Sequence, residues 1–168
     1  MVLNTARMQR IPRIVGVLLL GLLATTWVAC TPTVPMERAA HAILPVCAEV
    51  SVRLPKTIGD LERVNTNAQG TAAWGNPTAV LFRCGLDMPV ASNELCTKVG
   101  DVDWLADGSH DPDYVFISYG RNPAVEVIVD NTLISGRTVL EALNDAVRVL
   151  DQEHFCIDFT DLEDPPEL

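Results

Sequence analysis

Apolar residues recur at Cys47, Val50 and Leu54, positions i, i+3 and i+7, which is the spacing of one helix face. Pro45 suits the first turn of that helix, where a missing N–H costs nothing, and Pro55 marks its end. The helix turns Cys47 toward a core. Residues 56–71 are polar and turn-rich, and NTNAQG reads as a loop. From Thr78 the period changes to two. Val80, Phe82 and Cys84 share one face of a strand, with Ala79, Leu81 and Arg83 on the other. Gly85 to Glu94 reads as loop. Leu95 to Leu105 reads as one strand with an irregularity at Gly100-Asp101, and Asp107-Gly108 begins a turn. YVFISY-GRNP-AVEVIVD (114–130) is the clearest hairpin, rich in β-branched and aromatic residues. Thr138-x-x-Glu141 reads as a capping box opening a last helix, whose Leu140, Leu143, Val147 and Leu150 line one face. His154 to Phe159 reads as a short final strand.

These elements predict an α+β domain: a small antiparallel sheet of three to five strands with two helices packed on one face, stabilised by disulfides. The domain is expected over residues 42–159. It follows an N-terminal segment (1–30) and a tether (31–41), and precedes an acidic tail (160–168). No internal repeat is visible.

The N-terminal segment changes the picture most. Arg7, Arg10 and Arg13 precede Ile14 to Cys30, seventeen residues without a charge. A basic leader followed by an apolar stretch is the layout of an export signal. Spanning a bilayer takes about 17–25 apolar residues, so a short anchor fits as well. The arginine asymmetry places the domain outside the cytoplasmic membrane. Val28-Ala29-Cys30 resembles a lipobox, which makes Cys30 the candidate lipid-anchor residue, although Trp27 departs from the usual aliphatic residue at that position. The expected location is the extracytoplasmic side of the cell membrane, held by a lipid or by a single N-terminal helix.

Charge narrows the partners. The full chain carries 12 Lys+Arg against 22 Asp+Glu; removing the three leader arginines leaves nine against 22, a net −13. Nucleic acid and anionic headgroups are poor partners for such a surface. Cys47, Cys84, Cys96 and Cys156 are an even set in an exported domain and read as two disulfides with three possible connectivities.

Candidate chemistry is sparse. Asp103, Asp107 and Asp111 lie in an acid-rich loop (101–113) that invites a calcium reading. EF-hand spacing fails there, because counting from Asp101 puts Leu105 and Ala106 at loop positions 5 and 6 and Pro112 at position 12. No CxxC pair or metal-spaced histidine suggests zinc, and no cofactor is expected. His41, His110 and His154 lie far apart in sequence, Ser92, Ser109, Ser118 and Ser135 lack a nucleophile elbow, and no catalytic residue is assigned. Trp104 reads as core, whereas Trp74 stays open as a ligand or partner residue. Arg83 and Glu126 are mid-strand charges, placed here as a cross-strand ion pair, with Arg83 also a partner candidate.

AAWGNPTAVLFRCG (72–85), followed by GDVDWL (100–105) and AVEVIVD (124–130), resembles the actinobacterial exported family known as domain of unknown function family 3515. The likeness covers roughly residues 42–150; GDVDWL departs by one inserted residue. The resemblance implies lipoprotein or membrane-anchored members of the cell envelope without an assigned activity, and supplies no catalytic residues. It also implies a Cys47–Cys84 bridge, because members carry the cysteines corresponding to these two, and with it a Cys96–Cys156 bridge. The expectation is a non-catalytic envelope domain that binds a protein partner. A small-ligand or calcium module using the 101–113 loop and Trp74 is the alternative, and a cell-wall hydrolase the third.

Overall fold

The computed structural model describes residues 33–90 and 95–156. In chain order these form β1 (Thr33–Val34), α1 (Pro45–Arg53), β2 (Thr57–Ile58), β3 (Leu61–Thr66), β4 (Thr71–Trp74), β5 (Val80–Leu86), β6 (Leu95–Val99), β7 (Val102–His110), β8 (Asp113–Ser118), β9 (Ala124–Asp130) and α2 (Gly136–Val147). The strands make one nine-stranded sheet in the order β1-β3-β4-β5-β9-β8-β7-β6, with β2 pairing β3 beside that path. The β1–β3 pair is parallel and the others are antiparallel, so the sheet is mixed. The expectation of a small antiparallel sheet of three to five strands is therefore corrected. The fold is mostly β.

Strand alternation builds the two faces. On one, Ala72 and Trp74, Val80, Phe82 and Cys84, Val125, Val127 and Val129, Phe116, and Trp104 join a single buried core. The helices close that core with Cys47 and Val50 from α1 and Val139, Leu140, Leu143, Ala146 and Val147 from α2. Burying a side chain of this size contributes about 1.5–3 kcal/mol, which favours a continuous apolar layer over an open sheet. On the other face, the register aligns Asp107, Val115, Ile128, Leu81 and Ala73 in one row across five strands. The next row runs Cys96, Leu105, Ile117, Glu126, Arg83 and Thr71.

Several differences from the sequence reading have physical causes. Residues 56–71, expected as polar and turn-rich with a loop at NTNAQG, contain β2 and β3. β3 has mostly half-buried or exposed residues, LERVNT, so no apolar alternation marks it. β6 and β7 are two strands of a hairpin, because Gly100 adopts φ +62° and reverses the chain. β7 also runs past Gly108 to His110, where a turn was expected. The cap of α2 is Ser135, whose Oγ accepts the Thr138 N–H at 3.2 Å. Glu141 instead pairs with Arg137 at 3.2 Å. The cap thus lies three residues before the predicted one. Residues 153–156 contain no strand; an isolated bridge between Arg121 and Gln152, hydrogen bonds to Gly120 and Asp103 and the Cys96–Cys156 bridge tie this region to the sheet.

Both disulfides join the cysteines that the resemblance implied, Cys47–Cys84 and Cys96–Cys156. Cys30 and the rest of segment 1–30, the first two tether residues, Ser92, residues 157–159 of the expected strand and the acidic tail 160–168 lie outside the described residues.

Candidate functional site

The face away from the helices carries the residues best placed for recognition. At its centre the Arg83 Nη2 donates to Glu126 Oε1 at 2.8 Å, and the two residues face each other across β5 and β9. Their side chains are 30 % and 16 % exposed, so water screens the pair only partly. The guanidinium Nε is buried and has no hydrogen-bond partner among the described residues. Leu81, Ile128, Val115 and Ile117 surround the pair and are all half-buried. At one end the face dips into a depression of about 360 Å³, where Val34, Leu81 and Ile128 supply the apolar wall and Asp113 and Asp130 the rim.

A polar network that sequence reasoning missed lies between the β6–β7 turn and the C-terminal end of α2. Arg121, only 4 % exposed in the turn after β8, donates to the carbonyls of Arg148 (3.3 Å), Leu150 and Asp101 (2.7 Å) and to Gln152 Oε1 (2.9 Å). It thereby ties the carbonyls at the C-terminal end of α2 to the β6–β7 turn, a favourable place for a cation. Burial pushes its pKa below the ordinary arginine value, and Asp103 and Asp101 pull in the other direction. Gln152 completes the link by donating Nε2 to Asp103 Oδ2 at 2.8 Å, and the Cys156 N–H reaches the same oxygen at 3.2 Å. A buried arginine in a GRNP turn has no periodic signature, and its partners lie 20 to 31 residues away.

The residues singled out from the sequence separate into different places. Trp74 is fully buried; its indole N–H donates to Pro55 O at 3.2 Å, and the Arg63 guanidinium sits 5.9 Å from its ring centroid. Desolvation at this position lowers the Arg63 pKa. Trp104 is likewise in the core. Asp103 is 2 % exposed and belongs to the Arg121 network. Asp107 lies in β7, where the backbone N–H and hydroxyl of Ser109 hold its carboxyl below the ordinary aspartate pKa. Asp111 is exposed in the β7–β8 turn. Among the described residues, no three His, Cys, Asp or Glu converge as metal ligands would.

A Ser-His-Asp arrangement does occur at the tip of that hairpin, but it does not form a proton relay. His110 Nδ1 faces both Ser109 Oγ at 3.0 Å and Asp107 Oδ2 at 3.8 Å. A base must take a proton with one ring nitrogen and be oriented through the other. His41 Nε2 pairs with exposed Asp87 at 2.9 Å, at another place on the surface.

A family model described as Protein of unknown function (DUF3515) matches residues 10–154. The chain belongs to this family. The DUF3515 match runs through every element from β1 to α2 and over the latter part of the N-terminal segment, and its description assigns no activity. No curated protein and no solved structure matches the chain.

Proposed function

We propose that this DUF3515 domain is a non-catalytic module of the cell envelope, tethered on the outer side of the cytoplasmic membrane, that docks an envelope protein through the open face of its sheet. One observation carries the reading. Helices cover one face, whereas the other presents half-buried Leu81, Val115, Ile117 and Ile128 around the Arg83–Glu126 pair. Apolar residues grouped around a few fixed charges are the composition of a recognition surface, with the apolar part contributing affinity and the charges setting register. The basic leader Arg7, Arg10 and Arg13 and the uncharged stretch up to Cys30 support the location.

A photo-crosslinking residue at Ile128 tests the docking face, with the same residue at Glu141 on the exposed side of α2 as control. The expected outcome is one discrete envelope-protein adduct from position 128 and none from 141. Equal labelling from both sites, or none from 128, would remove the reading. Intact mass of the membrane-extracted protein tests the tether separately: an acylated chain beginning at Cys30 supports lipid anchoring, and an unmodified full-length chain rejects it.

A further inference from the structure

We propose that residues 151–156 form a thiol-releasable latch, closed by the Cys96–Cys156 bridge and opened by a dithiol reductant. The two disulfides differ in access. Cys47 and Cys84 are both 0 % exposed inside the core, where an attacking thiolate has no approach. Cys96 and Cys156 are partly exposed, between neighbours Leu95 and Phe155 that are 71 % and 61 % exposed. Thiol–disulfide exchange depends on such access.

What the second bridge holds is a segment attached otherwise mainly by hydrogen bonds, those of Gln152 and Cys156 to Asp103 and of Arg121 to Gln152 among them. Asp151, Glu153, His154 and Phe155 are exposed, so the segment buries no large apolar side chain. Its contacts to the turn after β8 are polar: Glu153 N–H to Gly120 O at 2.6 Å, His154 N–H to the same oxygen at 3.4 Å, and Asn122 N–H to Asp151 O at 3.4 Å. Local opening draws on regions of this kind, poor in apolar burial and rich in solvent-facing hydrogen bonds. The fit is nonetheless specific. Gly120 has φ +69°, and a Cβ added there would collide with the His154 main chain, so the turn is shaped for this segment.

The latch is also bonded to two side chains with unmet hydrogen-bonding capacity. Asp103 Oδ1 and Arg121 Nε are buried without a hydrogen-bond partner among the described residues. Leaving such atoms dry is unfavourable, and opening hydrates them. The chemistry balances with a dithiol. Its thiolate attacks one sulfur of the bridge, the other cysteine leaves as thiolate and is protonated, and the reductant's second thiol resolves the mixed disulfide. Two electrons pass to the protein, the two thiol protons end on Cys96 and Cys156, and the reductant becomes a disulfide.

Graded dithiothreitol on the full chain, with timed alkylation and peptide mapping, tests the proposal. Cys96 and Cys156 should be labelled at least about tenfold faster than Cys47 and Cys84. In the selectively reduced protein the amides of 152–156 should lose hydrogen-exchange protection while those of β5 and β9 keep theirs. Cys156→Ser should show the same exchange pattern without reductant. Simultaneous reduction of both bridges, or unchanged protection of 152–156 in the reduced protein and in Cys156→Ser, would overturn it.

Discussion

The two faces of the sheet are built from the same strands and differ by a single residue of register. Along β5, Val80, Phe82 and Cys84 point into a dry core, and Leu81 and Arg83 point to the open side. Along β9, Val125, Val127 and Val129 are fully buried, and Glu126 and Ile128 between them are not. Because the side-chain period is two, one strand serves both purposes at once. The covered face accounts for stability: it contains the three largest fully buried side chains, Trp74, Trp104 and Phe82. The open face keeps a charge pair and aliphatic residues where another molecule can reach them. Substitutions that report on stability and substitutions that report on binding should therefore alternate along β5 and β9.

The largest effect should come from the covered face. Phe82→Ala is expected to destabilise the domain by about 3–5 kcal/mol, from lost transfer free energy and a cavity the two helices cannot fill. Urea unfolding measures it, and a cost near that of a surface change would break the distinction between the faces. Next comes the buried staple between α1 and β5. Replacing Cys47 and Cys84 together by Ala should cost roughly 3–4 kcal/mol, the chain-entropy value for the 37-residue separation. The comparison tightens if the m-value rises as the midpoint falls, since the unfolded chain without the bridge is less compact and exposes more surface.

How much of this was legible follows from the same geometry. Strands with one dry face announce themselves, and β5, β8 and β9 stand where Val80-Phe82-Cys84 and YVFISY-GRNP-AVEVIVD predict strands. The cross-strand Arg83–Glu126 pair was legible too, because both are charges at mid-strand in otherwise apolar runs. β3 was not, since as a strand near the sheet edge it buries little and its polar residues imitate a loop. β4 hides differently, because TAAW is buried throughout and two alanines give no alternation. The β6–β7 reversal turns on the backbone angle of Gly100, which composition leaves undetermined. Least legible was the Arg121–Gln152–Asp103 network. Its partners meet only after the whole sheet has formed, so no local spacing encodes it.

The Arg83–Glu126 pair sits between the extremes. Exposed pairs contribute about 0.2–1 kcal/mol, and breaking fully buried ones costs about 3–5 kcal/mol. Side chains at 30 % and 16 % exposure should give a coupling of roughly 1–2 kcal/mol in a double-mutant cycle of Arg83→Ala and Glu126→Ala. The coupling should weaken only slightly in high salt, because the pair is partly shielded from counterions. A coupling near zero would show that the centre of the open face behaves as plain solvated surface.

Ile128→Ser should have the smallest effect on stability and the most telling one on recognition. Ile128 lies between Leu81 and Val115 in its row and is half-buried, so its loss from the isolated domain should cost about 1 kcal/mol or less, well under a full side-chain burial. Docking is another matter. A partner seated on this face would complete the burial of Ile128, and a serine there would leave a hydroxyl in an apolar contact without a bonding partner. The expected result is a near-native urea midpoint together with loss of the adduct formed by a crosslinker placed at neighbouring Val115. If Ile128→Ser instead unfolds the domain as readily as Phe82→Ala, the second face is core as well, and the division of labour between the faces does not hold.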